Sequence, residues 1–297
     1  MNNLTWKDNL KYYTKKIIDA FCSLIKILFN NRKSTAGTII ILFFVLVAIF
    51  GRVIFDYNPI TNEQQKFLPP SSSHILGTDN LGRDTFFQLI YGARDVLTIA
   101  FLTSVFSVLF GTIMGMLSGF IGGIVIQIIT NLFLSIPSFP IILILATFIT
   151  IENSVTFALI LSLWNWAGLC RAVRSQIMSL KERDFIQICV VMNLSKSHIL
   201  FSELIPNIAS YVLINFILIM RNAITGSVGI MMLGLAAFQP SNWGAMLLRA
   251  RDIGALLIPE AIYFVLAPIV AIMIFQMGAI LFASGLDEAL NPRLRRN

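Results

Sequence analysis

Apolar residues in this chain gather in long runs instead of alternating with polar ones. Six runs stand out, at 37–55, 96–118, 124–151, 154–170, 208–236 and 261–283. Most approach or exceed the ~20 apolar residues that carry a helix across hydrocarbon. Between residues 96 and 151 there is no Asp, Glu, Lys or Arg. That stretch is long enough for two passages, divided by the Gly-rich turn at 119–123. Glu152, Asn153 and Ser154 mark the start of the short fourth run. The fifth run is too long for one straight passage: residues 208–238 would make a helix of about 46 Å, against about 30 Å of hydrocarbon. It also contains Arg221, Asn222, Gly226, Gly229 and Gly234, so a bent or broken helix is predicted there. The first run starts near Gly37 and leads into Arg52 and Asp56 with no small-residue cleavage site. It therefore reads as a retained span and not as a secretory signal. The pattern predicts an all-α polytopic membrane protein with six transmembrane helices.

Composition agrees: 57% of residues are hydrophobic, 12% are charged and mean hydropathy is +0.80, where a soluble domain carries about 25% charged residues. Charge then supplies a direction. Fifteen Lys/Arg fall in 1–36, 119–123, 171–207 and 284–297, and six fall in 52–95, 152–153 and 237–260. Positive charge accumulates on the cytoplasmic side, so both termini are predicted cytoplasmic, and the net charge of +7 reflects topology and not nucleic-acid binding. The resulting organisation is a cytoplasmic segment 1–36, a first helix 37–55 and an extracytoplasmic segment 56–95. A five-helix core 96–283 follows, with a cytoplasmic loop 171–207, and then a tail 284–297. Residues 1–35 place Leu10, Ile17, Phe21, Leu24, Ile25 and Leu28 at near-helical spacing among lysines. That fits an amphipathic helix lying on anionic lipid or packing on the protein's own cytoplasmic end.

Candidate chemistry is sparse. Cys22, Cys170 and Cys189 form no C-x-x-C pair, and His74 and His198 complete no metal-ligand cluster, so free thiols and no metal site are predicted. The spans hold no HExxH, no GxSxG and no Asp or Glu, which argues against an autonomous catalyst and against a proton-driven carrier with an acidic relay. Residues 74–84, HILGTDNLGRD, place Gly77 and Gly82 around four residues, one lysine and one hydroxyl short of a phosphate-binding loop. No strand pattern precedes them, Arg83 is a poor substitute for a compact ammonium, and Asp84 would repel phosphate. We read the glycines as tight turns, with Asp79, Arg83 and Asp84 forming a local polar lattice. In the loop 171–207, Phe185, Ile188, Cys189 and Met192 fall at i, i+3, i+4 and i+7, one apolar stripe of a short helix flanked by Asp184 and Gln187. Such a stripe docks into a partner's groove or packs on the chain's own helix ends. Arg221, facing lipid, would cost at least ~2.5 kcal/mol. It is predicted to face either a translocation path, with Asn222 and Ser227 as further candidates, or a structural partner.

Several blocks together resemble the permeases of ABC importers, in the dipeptide/oligopeptide/nickel subfamily. The loop resembles that family's coupling loop: Gln187-Ile188-Cys189 stands at its E-A-A position, Asn193 at its glycine and Ile205-Pro206-Asn207 at its closing L-P-N, after the run-in Leu180 to Ile186. HILGTDNLGRD with LIYGARDVL (89–97), SGFIGG (118–123), IPS (136–138), RAVRSQIMSL (171–180), LGL (233–235), SNWGAML (241–247) and ALNPRLR (289–295) match in order and spacing. The block at 74–95 resembles the second, C-type, permease of the pair. Ser227 stands where relatives carry a Glu, and Asn is the commonest residue besides Gly in the left-handed conformation the loop needs at 193. The resemblance implies a type I importer permease with no catalytic residue and no cofactor of its own. ATP and Mg would be bound by one or two cytoplasmic ATPase subunits, which dock on Arg183, Asp184, Phe185, Gln187, Ile188, Cys189, Met192 and Asn193. It further implies a homologous second permease, an extracytoplasmic substrate-binding protein, and residence in a prokaryotic plasma membrane. The subfamily's substrates are peptides, nickel chelates or oligosaccharides. A stand-alone secondary transporter is the rival from another class, and a non-transporting subunit a third reading.

Overall fold

The computed structural model describes residue 29 and residues 31–57, 59–236 and 239–290. The amphipathic pattern at 1–28, Cys22 and the tail beyond residue 290 lie outside the described residues. Among the described residues the regular elements are helical. The longer ones are α1 (Arg32–Ile54), α2 (Thr85–Ile121), α3 (Ile124–Ser135), α4 (Ser138–Phe148), α5 (Ser154–Lys181), α6 (Asp184–Val191), α7 (Ile205–Met232), α8 (Trp243–Asp252) and α9 (Ile262–Leu290).

The helices outrun the apolar runs that predict them, because charged residues at their ends find partners. α2 starts at Thr85 and not near residue 96; Asp84 caps it by accepting from the Phe87 N–H at 3.0 Å. In its first turns Asp95 pairs with Arg52 of α1 at 2.8 Å, and Arg52 also donates to the Tyr91 carbonyl. α5 likewise continues past residue 170 to Lys181, whose Nζ donates to the Phe120 carbonyl at 3.1 Å.

The third predicted span, 124–151, is not one helix. α3 and α4 meet at a bend of 88°. Pro137 has no N–H to donate, and a residue preceding proline is driven from helical to extended backbone; Ile136 is extended, at φ −96° and ψ 126°. The bent pair still carries the chain across. α2 and α5 run parallel, with Gly111 against Leu169, Gly115 against Val173 and Gly119 against Ile177, so the segment between them returns the chain to its starting side. Among the described residues, five long helices and this pair make up to six candidate passages.

The fifth predicted span departs in the opposite sense. No break occurs at Gly226 or Gly229; α7 is continuous over 28 residues, and Gly229 instead lets the Phe139 ring come close. The irregularity lies earlier, in a π-helical stretch at Ile199–Leu204. It precedes Pro206, whose ring would clash with the carbonyl four residues back in a regular helix. π-helical geometry is rare and occurs mostly as single turns within α-helices.

Close packing comes from small residues. Thr103, Ser107, Gly111, Gly115 and Gly119 recur every fourth position and are buried along α2. A Cβ at Gly115 would lie 2.7 Å from the Cys170 carbonyl oxygen. Within lipid, apolar burial does not drive helices together, so backbone approach over such stripes does. The α2–α5 contact is the most extensive in the molecule. A second core joins α1, α8 and α9: Phe44 meets Trp243 and Phe275 edge-on at 6.0 and 5.5 Å, and Trp243 Nε1 donates to the Leu89 carbonyl at 2.9 Å. Lys33 and Glu288 approach to 3.4 Å, which places the start of α1 and the end of α9 at the same end of the bundle. α6 sits at that end too, following the end of α5.

Candidate functional site

Three places carry the residues singled out by sequence, and the structure treats them differently. The first is α6. Arg183 precedes it and Asp184 opens it, a carboxylate placed where the helix dipole favours it. The helix ends in a paired turn: the Asn193 N–H donates to the Val190 carbonyl at 3.0 Å and the Leu194 N–H to the Cys189 carbonyl at 3.1 Å. This is a Schellman arrangement with Asn193 in the left-handed position, at φ 55°. The apolar stripe is split between two faces. Ile186, 1% exposed, anchors the helix on Ile177, Ile199, Leu204 and Ile208, and Cys189 packs beside it as a free thiol. Phe185, Ile188 and Met192 point away from the protein, joined by Val190 and Val191, which the heptad-like spacing did not select. Val191 is 86% exposed. Gln187 is exposed as well.

The second place is the middle of α7. Arg221 lies about 24 Å from one end of the helix and about 17 Å from the other. Its guanidinium folds onto Asn222, donating from Nη2 to Oδ1 at 3.0 Å, and it has no acidic partner among the described residues. Thr225 follows one turn on, and Gln276 of α9 donates to its hydroxyl. Arg221, Asn222, Thr225 and Gln276 thus form one polar stripe on the outside of this chain at mid-depth. Ser227 does not join it. Its side chain is fully buried, and its hydroxyl donates to the Ile224 carbonyl at 3.0 Å; it lies on the opposite face of the helix, so this candidate for the stripe is corrected.

The third place is the 74–84 stretch, whose charged groups pair within the chain. Asp79 is fully buried and Arg83 4% exposed. The Asp79 carboxylate accepts from the Leu81 and Arg83 N–H groups at 2.8 and 2.9 Å, from Arg83 Nε at 2.9 Å and from Gln88 Nε2 at 3.1 Å, with Arg249 at 3.5 Å. Asp84 holds His74 Nδ1 at 2.8 Å while capping α2. Gly77 and Gly82 have φ of 69° and 74°. A Cβ at either would strike a backbone carbonyl oxygen, that of Leu68 or of Asn62. Thr78 and Asp84 form an isolated antiparallel bridge. The Asp79 and Asp84 carboxylates draw these bonds from groups of the chain itself, while Asn80 Oδ1, Thr85 Oγ1 and Gln88 Oε1 are buried without a hydrogen-bond partner. Gln88 completes the lattice from the first turns of α2, and Arg249 of α8, far away in sequence, could not have been found from local spacing.

Long apolar helices in five or six candidate passages, an exposed apolar helix at one end and a mid-depth polar stripe define a multi-pass membrane protein. The comparisons with known proteins make this specific. Residues 107–296 match the binding-protein-dependent transport system inner membrane component, and residues 23–70 match the N-terminal transmembrane domain of oligopeptide transport permease C. The chain belongs to this family of ABC importer permeases, as a C-type subunit. It is 32% identical over 270 residues to the dipeptide transport system permease protein DppC of Alkalihalophilus pseudofirmus, covering 90% of this chain and 88% of the relative. It is 30% identical over 274 residues to the oligopeptide transport system permease protein OppC of Bacillus subtilis, covering 90% and 88%. It is 32% identical over 274 residues to the glutathione transport system permease protein GsiD of Salmonella typhimurium, covering 86% and 84%.

Proposed function

We propose that this subunit forms half of a path for di- and oligopeptides across a prokaryotic plasma membrane, with both termini and α6 in the cytoplasm. The orientation rests on the excess of Lys/Arg at the end of the bundle that carries α6. The single observation that carries the transport reading is the stripe at Arg221. A cation at mid-depth, unpaired and on the outside of the chain, is tolerated where water or a second protein covers it. A homologous permease facing it across a water-filled path supplies that cover. A peptide brings a terminal carboxylate that a guanidinium binds in bidentate fashion, and dipeptide and oligopeptide transport are what the relatives' names state.

ATP is bound and hydrolysed, with Mg, on one or two separate ATPase subunits, and this chain supplies no catalytic group. α6 is the docking element: its buried Ile186 fixes it to the bundle while Phe185, Ile188, Val191 and Met192 enter a groove on the ATPase, with Arg183, Asp184 and Gln187 at the rim. Closure of the ATPases moves α6, and the anchored helix passes that movement to α5 and α7. An extracytoplasmic binding protein delivers the peptide. The test is uptake of a labelled tripeptide into vesicles holding this chain with its partner subunits. Uptake that stops when ATP hydrolysis is blocked supports the proposal. Uptake by the chain alone under an ion gradient, or uptake of nickel chelates or oligosaccharides in place of peptides, overturns it.

A further inference from the structure

At the end of the bundle that carries α6, a polar cavity of about 280 Å³ lies between α2, α3 and α5. Its walls hold two arginines and no acid. Arg171 and Arg174 are three residues apart on α5 and so share a face. Arg171 Nη2 donates to Asn131 Oδ1 of α3 at 2.8 Å. Arg174 Nε is buried without a hydrogen-bond partner. Neither arginine makes an ion pair among the described residues. The hydroxyls nearby are already committed, Ser118 to the Gly123 carbonyl and Thr130 to the Ile126 carbonyl, so they do not offset the positive charge.

Depth narrows the choice of counter-ion. Arg171 lies about 26 Å along α5 from Ser154, close to the thickness of the hydrocarbon. Its guanidinium therefore sits at the level of lipid headgroups. α3, which forms one wall, is otherwise apolar and exposed at Ile124, Val125, Ile128 and Leu132, a surface suited to acyl chains. A guanidinium pair with a free N–H matches the oxygens of a phosphate in fork geometry, and basic pockets between transmembrane helices suit anionic headgroups.

We propose that this cavity binds a phosphate group, and that its source is the headgroup of an anionic phospholipid. Inorganic phosphate shares that chemistry and is separated from lipid by the experiment. The assembled complex is delipidated, titrated with phosphatidylglycerol or phosphatidylcholine, and the lipid it retains is counted by native mass spectrometry. Phosphatidylglycerol is retained in preference to phosphatidylcholine. Arg174→Gln lowers its retention about tenfold, Arg171→Gln/Arg174→Gln abolishes it, and Arg171→Lys/Arg174→Lys keeps an intermediate level. Arg32→Gln, an exposed cation at the same end, changes nothing, and millimolar inorganic phosphate fails to displace the lipid. Unchanged retention in an assembled double variant overturns the proposal, as does an equal loss in Arg32→Gln. Displacement by inorganic phosphate overturns the lipid source. An acid of another subunit cross-linking to Arg174 shows the cavity filled by protein and overturns it outright.

Discussion

The turn around Asp79 and the helix around Ile188 stand at opposite ends of the bundle, and they manage their difficult residues in opposite ways. In the turn, a carboxylate and a guanidinium are both out of water, and each is satisfied by groups of the same chain. In α6, eight residues present Phe185, Ile188, Val190 and Val191 outward, held by little more than Ile186 and Cys189. A region that closes its own bonds braces the fold and is damaged by substitution in isolation. A region that leaves apolar surface uncovered is free to take up another molecule, as proposed for α6, and substitution there should cost the isolated chain little. The Arg221 stripe belongs with α6 in this respect, although its unmet need is electrostatic.

The sharpest way to break the comparison is at Asp79. Removing one member of a buried charge pair leaves the other uncompensated, at about 3–5 kcal/mol. Asp79→Ala should reduce the amount of folded, detergent-stable protein severely, measured as yield and thermal midpoint, because Arg83 and Gln88 lose their common acceptor. Gly82→Val should do the same by forcing a side chain onto the Asn62 carbonyl. A stable, fully assembled Asp79→Ala protein would show that the lattice is dispensable.

The opposite signature is expected on α6. Ile188→Asp with Met192→Asp should leave the thermal midpoint of the isolated chain nearly unchanged, as surface substitutions usually alter stability by less than about 0.5 kcal/mol. Co-purification of the ATPase should fall by at least about thirtyfold, the ~2 kcal/mol typical of a hot spot. Ile186→Ala should differ from both by loosening α6 itself. At mid-depth, Arg221→Ala should keep assembly and lower peptide uptake about tenfold, or ~1.4 kcal/mol, with Arg221→Lys retaining part of it. Loss of assembly in both would make Arg221 a structural partner.

How far these contrasts were legible follows from where the information lies. Apolar runs report bilayer passages, because hydrocarbon imposes the same requirement on every span. The motif at 74–84 was readable since its glycines and Asp79 act within a few residues, but Arg249 arrives from α8. The inward turn of Ile186 and Cys189 depends on what α6 packs against, which spacing does not record. Pro137 carried a signal for the bend that the long apolar run concealed, and the four-residue ladder from Thr103 to Gly119 was present but outweighed by hydrophobicity. The Arg171–Asn131 contact joins positions forty residues apart, so the spacing of Arg171 and Arg174 alone did not reveal the cavity they line.

Asn193 tests a milder link between backbone and docking. Left-handed backbone costs a non-Gly residue about 1–2 kcal/mol, with Asn among those that tolerate it best. Asn193→Gly should therefore stabilise the turn slightly, and Asn193→Val should destabilise it by about 1–2 kcal/mol. Both are read as thermal midpoint and as ATPase co-purification. If Asn193→Val weakens co-purification without moving the midpoint, the turn positions α6 for its partner more than it stabilises the bundle.

The smallest effect belongs beside the lattice, at Tyr57, just past the end of α1. Burial raises its phenol pKa above the ordinary value near 10; Arg83 opposes the shift, while Asp79 and Asp84 reinforce it. The folded state therefore holds this proton more tightly than the unfolded chain. The contribution to stability is complete below the unfolded pKa and is lost as pH rises through the folded one. The hydroxyl itself is buried without a hydrogen-bond partner, so Tyr57→Phe should be close to neutral at pH 7. In alkaline unfolding followed by thermal midpoint, the wild-type protein should lose stability above about pH 10 more steeply than Tyr57→Phe. Identical curves would mean that the phenol is not desolvated, and that water reaches further into the lattice than the burial of Asp79 and Arg83 implies.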